Sequence, residues 1–456
     1  MSDEPFPAEM RPTNVRWVVF VLGCGTSWML YLHRYTFALL KPTLKDEFGL
    51  NKPQLGLLDS AFSTCYSLFQ FPSGLIIDLT GVHLFLGGLI ILWSIALGLH
   101  ATATTTRGLW YARALFGVGQ AGAFASVSRL TRTWFPSSSR TSVQGWMGVF
   151  SGRFGGLSAN VLFATVMIGT IGLGWRTAIY ILAGAGILLG MVFLALYRNS
   201  PRNHPMANAA EADLIEGSKP TEKSSSGAPR EKLKLREVVS RTSPRSLANL
   251  AVLTLSSNFS TLADNIYSAW IPLFLHEVHK LEFKEMGLYS ALPLLGGACG
   301  GVCGGFLNDR LIRITGNRRF ARSAVGFGGK GMGAVMLGIA MMYYSDPYVF
   351  CSLLFAVKFF ADMGLASRWG TVTDIGGEAT ASVFALNNSL AGIAAVIAPI
   401  VYGYVSEFHG WRPVFYIAIA MYILCAISWL FVNCTIPVLS EESDVETDTT
   451  ETNGES

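Results

Sequence analysis

The chain has 456 residues, of which 51% are hydrophobic and 14% are charged, and its formal net charge is +4. Soluble globular domains carry roughly a quarter of charged residues, so this composition excludes that class and favours an integral membrane protein. The seven cysteines are scattered along the sequence, which argues against a disulfide framework or a metal site. The N-terminus has no basic stretch leading into a cleavage site, so we expect no removable signal peptide.

Long apolar segments separated by short polar breaks recur along the chain. We count roughly twelve spans of about 20 residues or more, the length that crosses a bilayer as a helix. The first six are residues 17–40, 55–79, 84–104, 109–130, 143–171 and 178–197, and the second six are 247–275, 286–307, 324–344, 349–372, 382–405 and 414–432. The predicted fold class is an all-α integral membrane protein with twelve transmembrane helices in two pseudo-symmetric six-helix bundles.

Polar segments flank and separate the two groups of spans. The predicted divisions are a cytoplasmic N-terminal tail (1–14), an N-terminal bundle (15–197), a cytoplasmic linker loop (198–246), a C-terminal bundle (247–432) and an acidic, disordered cytoplasmic tail (433–456). Basic residues concentrate in the connections between spans four and five, six and seven, and eight and nine. The positive-inside rule makes that side cytoplasmic. We therefore expect a multi-pass protein of the cell (inner) membrane with both termini on the cytoplasmic side.

Arg34 lies well inside the first span, too far from either end to reach the interface easily. A charged group at that depth costs from about 2.5 to well over 10 kcal/mol, and such residues usually mark a functional site. A guanidinium presents a planar fork of donors that holds a carboxylate in two parallel hydrogen bonds. The sequence therefore predicts a wet, protein-lined cavity in which Arg34 binds an anion. The alternative is a structural arginine bound to backbone carbonyls.

Two motifs occur once in each half of the chain. Gly74–Asp78 corresponds to Gly305–Asp309, and Gly-Trp-Arg at 174–176 corresponds to the same triplet at 410–412. The offsets, 309 − 78 = 231 and 411 − 175 = 236, agree within the variation expected of loop lengths. This repetition indicates a six-plus-six duplication, with a substrate site where the halves meet near the middle of the membrane.

A glycine four residues before an acid at the end of a helix resembles the loop signature of the major facilitator superfamily. The second copy, which continues into Arg310, matches well, whereas the first has Leu79 and His83 where basic residues are usual. The resemblance implies a gating role for these loops. The candidate gating residues are Gly74, Asp78, Gly305, Asp309 and Arg310.

Further motifs resemble the anion:cation symporter family of that superfamily, which includes bacterial sugar-acid transporters, the vesicular glutamate transporters and sialin. The matching segments are RALFGVGQAG (113–122), TWFP (133–136), RNSPRNHP (198–205) and TVTDIGG (371–377). The resemblance runs over nearly the whole chain, excluding the tails and the central loop. It implies transport of small organic anions, with Arg34 in span one and Arg113 in span four at the substrate. The other candidate substrate contacts are Tyr35, Tyr66, Gln120, Tyr267, Trp270, Trp369, Asn387 and Asn388.

Two positions depart from the family pattern. Members usually carry Asp immediately before the span-one arginine and Glu seven residues after the span-four arginine, but this chain has His33 and Gln120. Neither residue is a carboxylate, so the proton route usual in the family lacks its acids here. The remaining candidates for coupling are His33, Asp264 in span seven, and Lys358 with Asp362 in span ten. The last two lie at i,i+4, a spacing that also fits a self-neutralising structural pair.

These features predict a secondary active transporter of a small organic anion, a carboxylate such as a sugar acid, that works by alternating access as a cation-coupled symporter. The open alternatives are an organophosphate carrier, an anion exchanger, a facilitator without proton coupling and, from another class, a non-transporting membrane sensor. An organophosphate carrier usually has a second basic residue in span seven, and this span seven has none.

No nucleophile–base constellation, metal-ligand spacing or phosphate-binding loop stands out in the sequence, so neither an enzyme nor a cofactor is expected. The expected partners are the organic anion, a coupling proton or sodium ion and the lipid bilayer. No nucleic acid is expected, and the chain is expected to act as a monomer.

Overall fold

The structure is a computed structural model that describes residues 11–136, 138–150, 152–217, 243–377 and 380–438. Within these residues the chain forms sixteen α-helices and two π-helical segments. By internal contacts it divides into two compact units. The N-terminal unit contains the described residues up to 217 together with 268–291, and the C-terminal unit contains 243–267 and the described residues from 292 onwards.

The N-terminal unit begins with a series of helices of varied length. They are α1 (Val15–Phe48), α2 (Lys52–Thr80), α3 (Val82–Thr102), α4 (Thr106–Ala121), α5 (Ala123–Trp134), α6 (Arg140–Phe150), α7 (Gly152–Ser158), a π-helical segment (Ala159–Ile168), α8 (Trp175–Leu196) and α9 (Ala209–Glu216). Helix α1 ends at Gly49, whose φ of 62° lies in the left-handed region that glycine adopts without a Cβ clash. Asn51 then caps α2, because its side chain accepts a hydrogen bond from the backbone N–H of Gln54.

Small residues let α4 pack closely against its neighbours α2 and α3. A Cβ atom on Gly117 would lie 2.4 Å from the carbonyl oxygen of Phe62 on α2. A Cβ atom on Gly119 would lie 2.9 Å from the Cβ atom of Trp93 on α3. Glycine at these positions therefore allows the close approach that brings side chains of α2 and α4 together in the interior.

The short helix α9 is held against the start of α1. Glu211 on α9 is fully buried, and its carboxylate accepts hydrogen bonds from the backbone N–H groups of Val15 at 3.2 Å and Arg16 at 3.0 Å. These N–H groups have no partner within their own helix, so the carboxylate satisfies them at the positive end of the α1 dipole. Part of the segment predicted as a linker loop is thus packed on the N-terminal unit.

The described residues from 243 onwards are also mainly helical. Its elements are α10 (Pro244–Asn265), a π-helical segment (Ile266–Trp270), α11 (Ile271–His279), α12 (Phe283–Thr315), α13 (Arg318–Met342), α14 (Pro347–Gly376), α15 (Thr380–Phe408) and α16 (Trp411–Phe431). A glycine row on α12 meets the backbone of α14: Cβ atoms on Gly296, Gly300 and Gly304 would lie 1.9–2.1 Å from carbonyl oxygens of that helix. The i,i+4 spacing places the row on one face of α12.

Eight of the described helices are long and apolar enough to cross a membrane: α1, α3, α8, α12, α13, α14, residues 386–408 of α15, and α16. The other predicted spans are helical too, but spans four, five and seven are each divided between shorter segments. The predicted helical membrane architecture therefore agrees with the structure. The count of twelve spans stays a prediction.

Candidate substrate-binding site

Arg34 on α1 is half-buried and surrounded by aromatic rings. Its guanidinium carbon lies 4.7 Å from the ring centre of Tyr66, 4.8 Å from that of Tyr31 and 5.0 Å from that of Phe62. Nε donates a hydrogen bond to Oε1 of Gln120 at 2.9 Å. Nη2 is buried and finds no hydrogen-bond partner within the described residues. A buried donor left without an acceptor costs about 1–3 kcal/mol or more, so an anion bound here would remove a penalty.

Gln120 on α4 is fully buried and fixes the orientation of Arg34. Its Nε2 donates to the carbonyl oxygen of Leu30 at 3.0 Å, which turns Oε1 towards the arginine. In this conformation the side chain therefore acts through Arg34. A direct contact of Gln120 with substrate stays a prediction.

Arg113 on α4 belongs to a second buried group, the N-terminal charge cluster, which we define as Lys41, Asp59 and Arg113. Arg113 Nη2 lies 2.9 Å from Asp59 Oδ1, and Lys41 Nζ lies 2.6 Å from Asp59 Oδ2. The exposed fractions of the Lys41, Arg113 and Asp59 side chains are 0%, 4% and 12%. The guanidinium of Arg113 also lies 4.0 Å from the ring centre of Phe37. The guanidinium of Arg113 thus contacts protein groups in this conformation. Its predicted contact with substrate stays a prediction.

Lys41 and Asp59 were not among the residues selected from the sequence. Lys41 directly follows the predicted first span, and Asp59 lies within the second. The signal that selected Arg34, an ionisable residue within an apolar segment, applies equally to Asp59. It would have added Asp59 to the candidate residues.

Trp270, predicted as a substrate contact, instead packs against the N-terminal charge cluster. The Lys41 ammonium lies 3.7 Å from the ring centre of Trp270 and donates a hydrogen bond to the carbonyl oxygen of Ala269 at 2.8 Å. Ala269 and Trp270 lie at the end of the π-helical segment Ile266–Trp270. Lys41 therefore connects Asp59 to the irregular part of span seven within the N-terminal unit.

His33 lies on a different side of α1 from Arg34. It is fully buried, with Nε2 at 3.0 Å from the carbonyl oxygen of Leu182 on α8. A Cβ atom on Gly186, one turn further along α8, would lie 2.6 Å from its Cε1. Consecutive residues of an α-helix point about 100° apart, which explains the separation. The predicted coupling role of His33 stays a prediction, without a direct contact to Arg34 to support it.

The C-terminal unit has its own buried group, the C-terminal charge cluster, which we define as Asp264, Lys330, Lys358 and Asp362. Lys358 Nζ donates to Oδ1 of Asp264 and to Oδ1 of Asp362, the latter at 2.8 Å. Lys330 Nζ lies 3.6 Å from Oδ2 of Asp264, and the Tyr422 hydroxyl donates to Asp264 Oδ1 at 2.8 Å. The i,i+4 contact of Lys358 with Asp362 that the spacing predicts is present. Lys358 also pairs with Asp264, a contact that the sequence did not indicate.

Other predicted contacts occupy varied surroundings. Tyr35 is half-buried, with its ring centre 6.3 Å from that of Tyr31. Tyr267 is buried, and the Lys358 ammonium lies 5.5 Å from its ring centre. Trp369 is 47% exposed and stacks on Phe384 at 4.6 Å between ring centres.

The two predicted asparagines of span eleven differ from each other. Asn387 is buried, and its Oδ1 accepts hydrogen bonds from the hydroxyls of Thr254 at 3.3 Å and Ser257 at 3.4 Å. Asn388 is exposed. A substrate contact through Asn387 would have to share an amide that already has protein partners.

The predicted gating residues lie within the C-terminal parts of α2 and α12, which continue to Thr80 and Thr315. Gly74 and Gly305 are not in tight contacts, because a Cβ atom on Gly74 would meet nothing within 4 Å and one on Gly305 would lie 3.8 Å from the Cβ atom of Ala366. The side chain of Asp78 lies outside the described residues. Asp309 and Arg310 are exposed, and we find no ion pair between them in the described part of the chain. Their roles as a gate stay predictions.

Comparison with protein families decides what kind of molecule carries these features. Residues 23–337 match the model of the Major Facilitator Superfamily. The chain belongs to this superfamily.

Individual relatives within the superfamily are transporters of small acids. The chain is 28% identical over 436 residues to a protein of Cupriavidus necator named a probable sulfoacetate transporter, covering 95% of this chain and 96% of that protein. It is also 28% identical over 415 residues to a probable galactarate/D-glucarate transporter of Bacillus subtilis, covering 87% and 86% of the two chains. This similarity confirms the predicted relationship to anion and sugar-acid transporters.

The solved structures support the same fold. A bacterial homologue of the human lysosomal transporter Spinster aligns with a TM-score of 0.71 at 17% identity, covering 92% of this chain and 95% of that chain. At this identity the likeness shows the major facilitator fold and nothing about substrate. Superfamily membership confirms that the chain is a multi-pass membrane transporter and not an enzyme. The positions of its termini and the membrane in which it resides stay predictions.

Proposed function

We propose that the protein is a secondary active transporter of a small organic anion with a carboxylate group, which it carries by alternating access in symport with a cation. The observation that carries this proposal is Arg34, whose buried Nη2 lacks a partner within the described residues while Gln120 holds its Nε. The relatives named as transporters of sulfoacetate and of galactarate or D-glucarate support the same class of substrate.

The geometry around Arg34 suits a carboxylate. The bond from Nε to Gln120 fixes the plane of the guanidinium, so its terminal nitrogens are preorganised to donate two parallel hydrogen bonds. The rings of Tyr31, Phe62 and Tyr66 offer their negative faces to the cation while the anion is absent. We include Tyr66 and Tyr35 as side chains that contact the rest of the substrate.

In the C-terminal unit we propose Asp264 and its partners Lys358 and Asp362 as groups that respond to the coupling cation. Asp264 accepts bonds from both Lys358 and Tyr422, so a change in its charge would alter several contacts together. Tyr267, Trp369, Asn387 and Asn388 are the proposed substrate contacts of this unit. Gly305, Asp309 and Arg310 in the C-terminal part of α12, with Gly74 and Asp78 on α2, are proposed to act in gating.

Ligand binding to the purified protein tests the proposal. The probes are hexuronates, aldonates, aldarates, sulfoacetate, aromatic acids and sugar phosphates, each added before thermal unfolding. A ligand that binds only the folded state at 100 times its Kd stabilises that state by about 2.7 kcal/mol, which raises the melting temperature. We expect a shift with carboxylates and none with sugar phosphates. A shift with sugar phosphates alone would identify an organophosphate carrier, and no shift with any probe would contradict anion binding.

Substitution of Arg34 then tests the recognised group. Arg34→Ala and Arg34→Lys should both abolish the ligand-induced shift and counterflow in proteoliposomes, because an ammonium cannot reproduce the bidentate fork. Arg176→Lys is the matched control, since Arg176 pairs with Glu47 at a partly exposed position away from Arg34. If Arg34→Lys binds and transports normally, a simple positive field suffices and the bidentate geometry is wrong.

A further inference from the structure

The N-terminal charge cluster places two cations on one carboxylate, and each cation uses a different oxygen. Arg113 binds Asp59 Oδ1, and Lys41 binds Asp59 Oδ2. The three side chains belong to three helices, α1, α2 and α4. Each pair can therefore break while the other remains.

The cluster carries a net charge of one positive unit when all three groups are ionised. Burying an uncompensated charge costs several kcal/mol, and an ion network with only a structural role would balance its charges. Two further charged or titratable groups lie near Arg113. Arg34 on α1 shares the ring of Phe62 with it, and His100 on α3 shares the ring of Phe116 with it. Neither is an acid, so among the described residues Asp59 is the one carboxylate that we find paired with these cations.

Lys41 has other partners to hold its ammonium if it leaves Asp59. Its Nζ donates to the carbonyl oxygen of Ala269 and lies over the ring of Trp270. An ammonium group has three N–H donors, so these contacts can persist without the carboxylate. A rearrangement at Ala269 and Trp270 would accordingly draw Lys41 away from Asp59 Oδ2.

We propose that Asp59 is a proton-binding carboxylate that couples proton movement to transport, with the proton taking the place of Lys41 on Oδ2. A hydronium ion transfers a proton to Oδ2, so one O–H bond of hydronium breaks, one O–H bond to Oδ2 forms, and a neutral water molecule leaves. The ion pair between Lys41 and Oδ2 breaks, and Arg113 keeps its contact with Oδ1. This inference rests on the proposed transport function and assigns its coupling group in the N-terminal unit.

The exchange links the proton to the anion. Protonation of Asp59 raises the net charge of the cluster from one to two positive units, and the guanidinium carbons of Arg34 and Arg113 lie 5.0 Å and 4.8 Å from the same ring centre, that of Phe62. The added positive charge favours an anion at Arg34. By linkage, an anion bound at Arg34 favours the proton on Asp59 to the same degree. Cooperative binding of anion and proton is what symport requires.

A measurement without substrate tests the switch itself. The chain has 11 tryptophans, so the emission of Trp270 is obtained as the difference between the wild-type protein and Trp270→Phe. We expect this difference to change as the pH is lowered, because Lys41 moves relative to the indole when Asp59 Oδ2 takes up a proton. Asp59→Asn, which imitates the protonated acid, should abolish the change. A wild-type titration that persists in Asp59→Asn, or no titration in the wild type, would overturn the proposal.

Two further variants guard against misfolding and non-specific effects. Asp59→Asn removes the carboxylate that pairs with Lys41 and Arg113. The double variant Asp59→Asn/Lys41→Met also removes one of these two buried cations. It should unfold at a higher temperature than Asp59→Asn and should also lack the pH-dependent change of Trp270. Glu47→Gln is the matched control, because Glu47 also pairs with an arginine of the N-terminal unit but lies at the end of α1. It should leave the Trp270 titration unchanged.

Transport provides an independent arm with sulfoacetate and D-glucarate as probes. In proteoliposomes, Asp59→Asn should lose accumulation driven by an imposed pH gradient and keep counterflow of the same probe. Loss of both in a folded protein, or accumulation equal to that of the wild type, would contradict a coupling role. If the wild type transports neither probe, the proposed function fails with these anions, while the Trp270 titration still decides the role of Asp59.

Discussion

The two charge clusters use similar residues but differ in their balance. The N-terminal cluster sets Lys41 and Arg113 against a single acid, Asp59. The C-terminal cluster sets two lysines against two acids, with the hydroxyl of Tyr422 as an additional donor. When ionised, the first therefore carries one net positive charge, and the four side chains that define the second carry none.

This difference separates two uses of buried charge. A balanced network offsets the desolvation of its own members and can hold helices together without a ligand. An unbalanced one stays costly until an anion arrives. Near Arg34, whose Nη2 already lacks a partner within the described residues, the surplus of cations favours an anionic ligand. The comparison predicts that the two clusters respond differently when a lysine is removed.

The largest effect is expected from Lys358→Met in the C-terminal cluster. This substitution removes the cation that binds both the buried Asp362 and the half-buried Asp264, and it leaves these two acids with Lys330, which lies 3.6 Å from Asp264 Oδ2. Breaking a buried ion pair in this way costs about 3–5 kcal/mol. Thermal unfolding of the purified variant measures the loss. A melting temperature equal to that of the wild type would show that the cluster does not depend on its charge balance.

A smaller effect is expected from Lys41→Met in the N-terminal cluster. Asp59 keeps Arg113 on Oδ1, so the carboxylate remains paired and the surplus charge disappears. We expect a loss of about 2 kcal/mol, within the usual range for a buried substitution, from the contacts with Ala269 and Trp270. The same unfolding experiment compares it with Lys358→Met. Equal losses from the two substitutions would remove the distinction between the clusters.

The sequence predicted helical spans and selected Arg34 as a candidate site residue, because hydropathy and an intramembrane charge are local signals. It did not predict the partner of Arg113, since the pair with Asp59 depends on how closely α2 and α4 approach at Gly117. The separation of His33 from Arg34, in contrast, follows from helical periodicity alone and could have been anticipated.

Other features depend on the whole chain and leave no local pattern. The docking of α9 on α1 depends on the carboxylate of Glu211 and on Asn208, which hydrogen-bonds to Thr13, and both lie in a segment whose composition is that of a loop. The link from Lys41 to Ala269 joins residues more than two hundred positions apart. Sequence reasoning could recognise the ionisable groups but could not pair them, because pairing requires the relative rotation of packed helices.

The smallest effect is expected from Tyr422→Phe, and it tests whether Asp264 is charged. The Tyr422 hydroxyl donates to Asp264 Oδ1 at 2.8 Å, and the Tyr402 hydroxyl donates to the backbone carbonyl of Leu262 at the same distance. Both tyrosines are fully buried in the C-terminal unit, so Tyr402→Phe is a matched control with a neutral acceptor.

A hydrogen bond to a charged acceptor contributes about 1.5–3 kcal/mol, and one to a neutral acceptor about 0.5–1.5 kcal/mol. Because Lys358 holds the same oxygen of Asp264, we expect Tyr422→Phe to lie at the low end, about 1.5 kcal/mol, and still to exceed Tyr402→Phe in thermal unfolding. Equal losses would mean that Asp264 carries its own proton. The C-terminal cluster would then have one net positive charge, like the N-terminal cluster, and the proton-binding role assigned to Asp59 would have to be tested at Asp264 as well.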